Sequence, residues 1–314
     1  MSFNNTGCTV FSNSSSVSSN RLENRPPLGL DTSEVKGLAG VNAVASIIGT
    51  VGNLLVCFVV KKFRFLGRPK TELFIASLAV ADLLVCVFAQ PMYVLFLYGL
   101  LPAQLNMIRT AVTWISTLVS VSHLFSISIE RFLSLFSLHR HRFFITDLTI
   151  WKSIVFTWLV AISFGAPASI LRKARHIAQY FVIAILLIMP VLYTGIFYIV
   201  RLQRQRIKKQ IPAQKLSNSQ KSFAKERKIL YMIAVVVGAF YVCITPLIVL
   251  PFFFSVGASP AVLKHAKRAF PWVNTMAFCN SSLNPYVYYW RSWRFRLVIK
   301  KMLRRMFEKR STHH

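Results

Sequence analysis

Acid is what this chain has least of: 9 Asp and Glu stand against 38 Lys and Arg in 314 residues, and charged residues make up only 15%. An ordinary water-soluble domain carries about a quarter of its residues charged, so this composition excludes one. Cysteine is also scarce. Of five, Cys57, Cys86, Cys243 and Cys279 lie in apolar stretches and only Cys8 in a polar segment. A disulfide framework is therefore not expected, and Cys8 has only an intermolecular partner open to it. No repeat of fixed period is visible, nor two halves with matching Gly or Pro interruptions, which argues against solenoids and inverted-repeat transporters. No nucleophile with a base and no metal-ligand cluster stands out, so enzymatic catalysis has no support. Residues 1–38 lack a basic region followed by an apolar one, so no cleavable signal peptide is expected.

What the chain has is apolar length. Hydrophobic residues are 54% of it, with long runs at 41–60, 73–98, 110–129, 153–171, 177–200, 229–256 and 269–290. About 20 apolar residues cross a bilayer as helix. Only helices or closed barrels satisfy every backbone group in lipid, and barrel strands would alternate in polarity, which these runs do not. The expectation is an all-α membrane protein, a seven-transmembrane helix bundle. Pro91, Pro167, Pro190, Pro246 and Pro285 fall inside runs, where each frees a carbonyl and bends its helix.

The net charge of +29 is unevenly spread. Segments 61–72, 130–152, 201–228 and 291–314 hold 28 of the 38 Lys and Arg, and such a bias marks the cytoplasmic side. The partner this implies is anionic inner-leaflet lipid rather than nucleic acid. An odd number of spans then puts the amino terminus outside and the carboxyl terminus inside, as in a multi-pass plasma-membrane protein. Residues 1–38 form an extracellular tail, expected to be disordered, with glycosylation acceptors at Asn4 and Asn13. Residues 39–290 form the membrane domain. In 291–314, apolar residues at helical spacing between Arg and Lys predict a short amphipathic eighth helix in the interface.

Asp82, in Leu78-Ala79-Val80-Ala81-Asp82, is the one formally charged side chain inside these runs. A carboxylate at that depth costs several kcal/mol or more unless water, a partner or an ion meets it, so it marks a functional interior.

Over about 39–307 the chain resembles a rhodopsin-like (class A) G-protein-coupled receptor. The matching residues occur in order: Gly52-Asn53, the run ending at Asp82, Ser120 with Glu130-Arg131-Phe132, Trp158, Pro190 and Tyr198, Phe240 and Pro246, then Asn280, Ser281 and Asn284-Pro285-x-x-Tyr288. The resemblance implies a receptor that converts extracellular ligand binding into activation of a heterotrimeric G protein. It implies no cofactor other than an allosteric sodium ion, held by Asp82, Ser120, Asn280, Ser281 and Asn284. Hard cations take oxygen ligands, which these side chains offer; the alternative is a dry hydrogen-bond network around a protonated Asp82. It further implies a switch in which Arg131 pairs with Glu130 and Glu226 at rest and is freed on opening, with Tyr198 and Tyr288 holding the open form.

Departures from the family pattern bear on the ligand. Ile244 stands where most relatives have a ligand-sensing Trp, so coupling is expected to run through Phe240 against Pro190 and Val121. Asn106 replaces the usual third-span cysteine, and the second outer loop is read as Arg172 to His176 alone, so the usual disulfide is missing, as in melanocortin and some lipid receptors. Thr113 stands where amine receptors place Asp, and Phe278 where opsins place Lys. No carboxylate is expected near the outer mouth, while Arg109, Arg172, Lys173, Arg175, Lys264, Lys267 and Arg268 surround it. A basic rim attracts anions. The ligand reading is an anionic lipid or other apolar acid, with Arg109 on its head group and Thr113, Trp114, Thr117, Phe252 and Phe253 near its tail. Against it stands an Arg109 that merely snorkels to lipid phosphates. His123, mid-span, reads as a hydrogen-bond anchor between helices. The rival functions are a ligand-independent or dimer-partner receptor and a membrane transporter.

Overall fold

Side chains that are greasy on the outside and polar within define the architecture of this computed structural model, which describes residues 29–64, 72–136, 146–210, 234–251, 259–291, 295–301 and 304. The helices follow the order α1 Thr32–Arg64, α2 Glu72–Leu97, α3 Ala103–Phe136, α4 Asp147–Ala168, α5 Arg172–Gln210, α6 Ala234–Val249 and α7 Pro260–Arg291, with α8 within 295–301. The first five are long and apolar enough to cross a membrane by length and composition. The described part of α6 is shorter but also apolar. In α7 the interior face carries Asn274, Thr275, Asn280, Ser281, Ser282 and Asn284, all buried, which lowers its hydropathy without shortening it. On α1, Val44, Ile47, Ile48, Val51, Leu54 and Phe58 are exposed at helical spacing, a face suited to acyl chains.

Local sequence sets the helix ends. Asp31 leads α1, its N–H donating to Glu34 Oε2 at 2.9 Å, one half of a capping box. Thr146 caps α4, accepting from the Thr149 N–H at 3.1 Å. The bundle thus begins at Thr32, ahead of the boundary drawn at 39, because Val35, Leu38 and Ala39 are buried. The second outer loop is also shorter than expected. Arg172 to His176 form the first turn of α5, and only Ser169 to Leu171 join it to α4. Arg175 Nε closes that corner on the Ala168 carbonyl at 3.1 Å. In α8, Phe295 and Ile299 are buried while Arg296 and Lys300 are exposed, an amphipathic pattern with an i, i+4 seam.

Three interior prolines are each matched by a donor from a neighbouring helix. Pro285 leaves the Ser281 carbonyl without its helical N–H, and Asn53 Nδ2 of α1 donates to it at 3.0 Å. Pro190 leaves the Leu186 carbonyl, which accepts from the Tyr241 hydroxyl of α6. In α2 the turn at Val85–Ala89 is a π-turn, with the Gln90 N–H bonded to the Val85 carbonyl. In that register Pro91 leaves the Cys86 carbonyl, and Ser46 Oγ of α1 donates to it at 2.6 Å. Neighbouring side chains make prolines tolerable in this way inside lipid.

Small residues permit the close contacts. A Cβ on Gly52 would lie 2.9 Å from Pro285, and one on Gly165 would lie 2.8 Å from the backbone N of Ile115. Trp158 adds a bond from its indole N–H to Ser77 Oγ at 2.9 Å, joining α4 to α2. Gly165→Ala should therefore force α4 away from α3 and cost about 1–3 kcal/mol, read as a lower melting temperature of the detergent-solubilised protein.

Candidate functional site

The interior polar groups gather between α2, α3 and α7. Asp82 is 1% exposed, and its Oδ2 accepts from Asn284 Nδ2 at 2.9 Å. Among the described residues its Oδ1 has no hydrogen-bond partner, nor do the buried Asn280 Oδ1 and Ser116 Oγ. Ser120 and Ser281 are buried beside them. These orphaned oxygens come from three helices. One carboxylate oxygen, one amide oxygen and one hydroxyl, unmet by N–H donors, are oxygen donors of the kind that suits a small hard cation.

A cavity of about 20 Å³ adjoins this cluster, room for one water or an ion. Thr113, Ser116, Thr117 and Ser120 line it from α3 at the i, i+3, i+4, i+7 spacing of a single helix face. Phe240, Ile244 and Leu247 line it from α6, and Asn280 and Ser281 from α7. The residues assigned to the ligand (Thr113, Thr117) and to the ion (Ser120, Asn280, Ser281) therefore share one cavity. Thr113 and Thr117 turn their hydroxyls back to the carbonyls of Arg109 and Thr113, each at 2.8 Å. Trp114 packs against the main core instead of lining the cavity. Phe252 and Phe253 lie outside the described residues, as do Asn4 and Asn13.

Arg109 also stands apart from the cavity wall. Its Nε and Nη2 donate to Asn106 Oδ1 at 3.0 and 2.8 Å, and its guanidinium lies 5.3 Å from the Tyr93 ring centre and 5.1 Å from that of Phe96. Asn106, read only as a missing cysteine, thus orients this side chain. These partners are neutral, so the charge is oriented but not cancelled. The outer mouth is less purely basic than expected: Arg268 pairs with Asp31 at 2.9 Å and Glu34 at 3.1 Å, tying the start of α1 to α7. Those two acids were placed with the tail, which hid them.

At the cytoplasmic end Arg131 Nε lies 2.9 Å from Glu130 Oε2. Glu226 lies outside the described residues. Tyr288 is buried, but Tyr198 is 63% exposed and faces outward. Pro190 is exposed too, so it does not join Phe240 and Val121, which are both buried in the core. The reason is the face that α5 presents. Its inward residues are Val182, Ile185, Leu186, Met189 and Ile196, and Pro190 and Tyr198 fall off that stripe. Tyr193 is the inward tyrosine, its hydroxyl accepting from Ser128 Oγ at 3.1 Å. His123 bonds the Val119 carbonyl of its own helix at 2.9 Å and meets Phe74 edge-on, so its link to α2 is aromatic contact rather than a hydrogen bond. Sequence reading also missed Ser116, whose signal was the hydroxyl spacing along α3.

Comparison with known proteins adds to this geometry. Residues 52–180 and 175–288 match the family described as 7 transmembrane receptor (rhodopsin family). A D(1)-like dopamine receptor of Oreochromis mossambicus is 30% identical, covering 81% of this chain and 75% of that one. A D(5)-like dopamine receptor of Takifugu rubripes is 28% identical over 81% of this chain, which spans 64% of that relative's length. A histamine H2 receptor of Rattus norvegicus is 24% identical, covering 90% and 84%.

The Asn284 bond to Asp82 Oδ2 joins α7 to α2. Asn284→Ala should leave that carboxylate oxygen unmet and cost about 1–3 kcal/mol, measured as loss of thermal stability at fixed salt.

Proposed function

Since the chain belongs to the rhodopsin family of seven-transmembrane, G-protein-coupled receptors, we propose that it answers an extracellular anionic amphiphile, an apolar acid or lipid, by activating a heterotrimeric G protein. The observation that carries this reading is Arg109, a half-buried cation on α3 held in place by neutral groups alone. A charge so oriented keeps its attraction for an anion. The relatives' names speak of dopamine and histamine, but amine recognition does not transfer: Thr113 occupies the position where amine receptors carry an acid, and its hydroxyl is bonded to the Arg109 carbonyl.

The cavity is too small for an acyl chain. A ligand anchored at Arg109 enters deeper only as the α6 wall of Phe240, Ile244 and Leu247 gives way, and that displacement is the signal. With Ile244 in place of an indole, the wall beside Phe240 is aliphatic at 244 and 247 and yields by repacking. At the inner end, Arg131 leaves Glu130 to meet the G protein. The amino terminus faces outside the plasma membrane in this reading, with Asn4 and Asn13 as glycan sites, and the basic inner segments rest on anionic lipid.

Asp82, Ser120, Asn280, Ser281 and Asn284 would hold a sodium ion, joined by Ser116. The ion would supply positive charge to a carboxylate that hydrocarbon cannot solvate. Because Ser116, Ser120, Asn280 and Ser281 of the ion's set line the same cavity as Thr113 and Thr117, occupancy of one disfavours entry of the other. Sodium should lower agonist affinity, and Asp82→Asn should abolish that dependence; equal salt response in both proteins removes the site.

The test of the ligand class is a reporter line carrying promiscuous G proteins, challenged with lipids, acids and peptides. Arg109→Ala should weaken an anionic agonist by about 1–3 kcal/mol and leave surface expression intact; unchanged potency would discard the pairing.

A further inference from the structure

The hydroxyl of Tyr241 on α6 donates to the Leu186 carbonyl of α5. That carbonyl lies four residues before Pro190, which has no N–H to return to it. The acceptor is therefore left open by the sequence of one helix and filled from another, and Tyr241 is its donor in the structure. Tyr241 is half-buried against the core, beside Phe240, which lines the cavity. Two turns farther out, Gln179 Nε2 of α5 donates to the Ile248 carbonyl of α6 at 3.2 Å. The contact between α5 and α6 thus includes two polar fastenings, and the Tyr241 one serves a group that α5 cannot satisfy itself.

We propose that Tyr241 is a positioning residue for activation: its bond to the proline-freed carbonyl holds α6 against α5 in the resting receptor, and ligand entry must release it. The argument rests on the reading above in one respect, that the α6 wall moves to admit ligand. In hydrocarbon an unmet carbonyl has no water to turn to. Moving α6 away therefore leaves Leu186 exposed to that cost, and the bond biases the bundle toward the closed arrangement in which Arg131 sits on Glu130. A phenylalanine at 241 keeps the ring and its packing but removes the donor, so the closed state loses an interaction that the open state never had. An alanine at 190 restores the helical N–H, which supplies Leu186 from within α5 and makes the tyrosine hydroxyl redundant.

The experiment is a double-mutant cycle with Tyr241→Phe and Pro190→Ala in the full chain, read in two ways. In detergent, without any G protein, Tyr241→Phe should lower the melting temperature in the parent and change it little in the Pro190→Ala background. In cells, at matched surface levels, Tyr241→Phe should raise basal signalling several-fold, Pro190→Ala alone should raise it in the same direction, and the double variant should not exceed the larger of the two. An equal melting loss in both backgrounds overturns the bond. The expected melting pattern with unchanged basal signalling overturns its role in activation. If Tyr241→Phe does not reach the surface, Pro190→Ala alone decides: unchanged basal signalling at normal surface levels rejects the proposal. Failure of the anionic-ligand reading is distinguishable, because it would show in Arg109→Ala and leave both readouts of this cycle unaffected.

Discussion

Inside hydrocarbon a backbone carbonyl without a donor has no solvent to fall back on, and this constraint organises the bundle. Each proline within a span creates such a carbonyl. Ser46 fills the one before Pro91, Asn53 the one before Pro285 and Tyr241 the one before Pro190. The first two donors come from α1, which otherwise shows an apolar face to the exterior. Through them α1 is fixed to α2 and α7, and Gly52 lets it approach Pro285 closely enough for Asn53 to reach. The defects in individual helices thus become the joints between helices, and specificity of packing arises where apolar contact alone would let helices slide.

The same constraint shapes the interior site. Asp82 and its neighbours are tolerated because α7 spends its inward face on amides and hydroxyls rather than on leucine. The hydroxyl stripe of α3 continues that polarity outward as far as Thr113. Threonine hydroxyls bonded to their own helix can face an apolar cavity at low cost, yet rotate to meet a polar guest. Arg109 stands at the outer end of this sequence of groups, steadied by Asn106 and two aromatic rings. Charge at the rim and hydroxyls in the middle follow α3, and the path ends at depth on the Asp82 carboxylate of α2.

Much of this was legible in the sequence. Helix existence followed from apolar length, Asp82 stood out as a charge placed where lipid forbids it, and Asn284 came from the family resemblance. The misreadings share one cause: facing directions are set by the whole bundle. Pro190 and Tyr198 sit at family positions, but the buried stripe of α5 runs through Leu186, Met189 and Ile196, leaving both outside it. Arg172 to His176 looked like a loop because they separate two apolar runs, yet they form the first turn of α5 although their basic side chains oppose the helix dipole. Asp31 and Glu34 looked like tail residues, since nothing local announces a partner at Arg268 more than two hundred positions away.

The three-residue corner between α4 and α5 carries a last consequence. A link of that length is too short to fold back as a roof above the helices it joins. At that corner, among the described residues, the rim is made by the ends of α4 and α5 themselves, so any contact there is fixed by helix packing rather than by a flap.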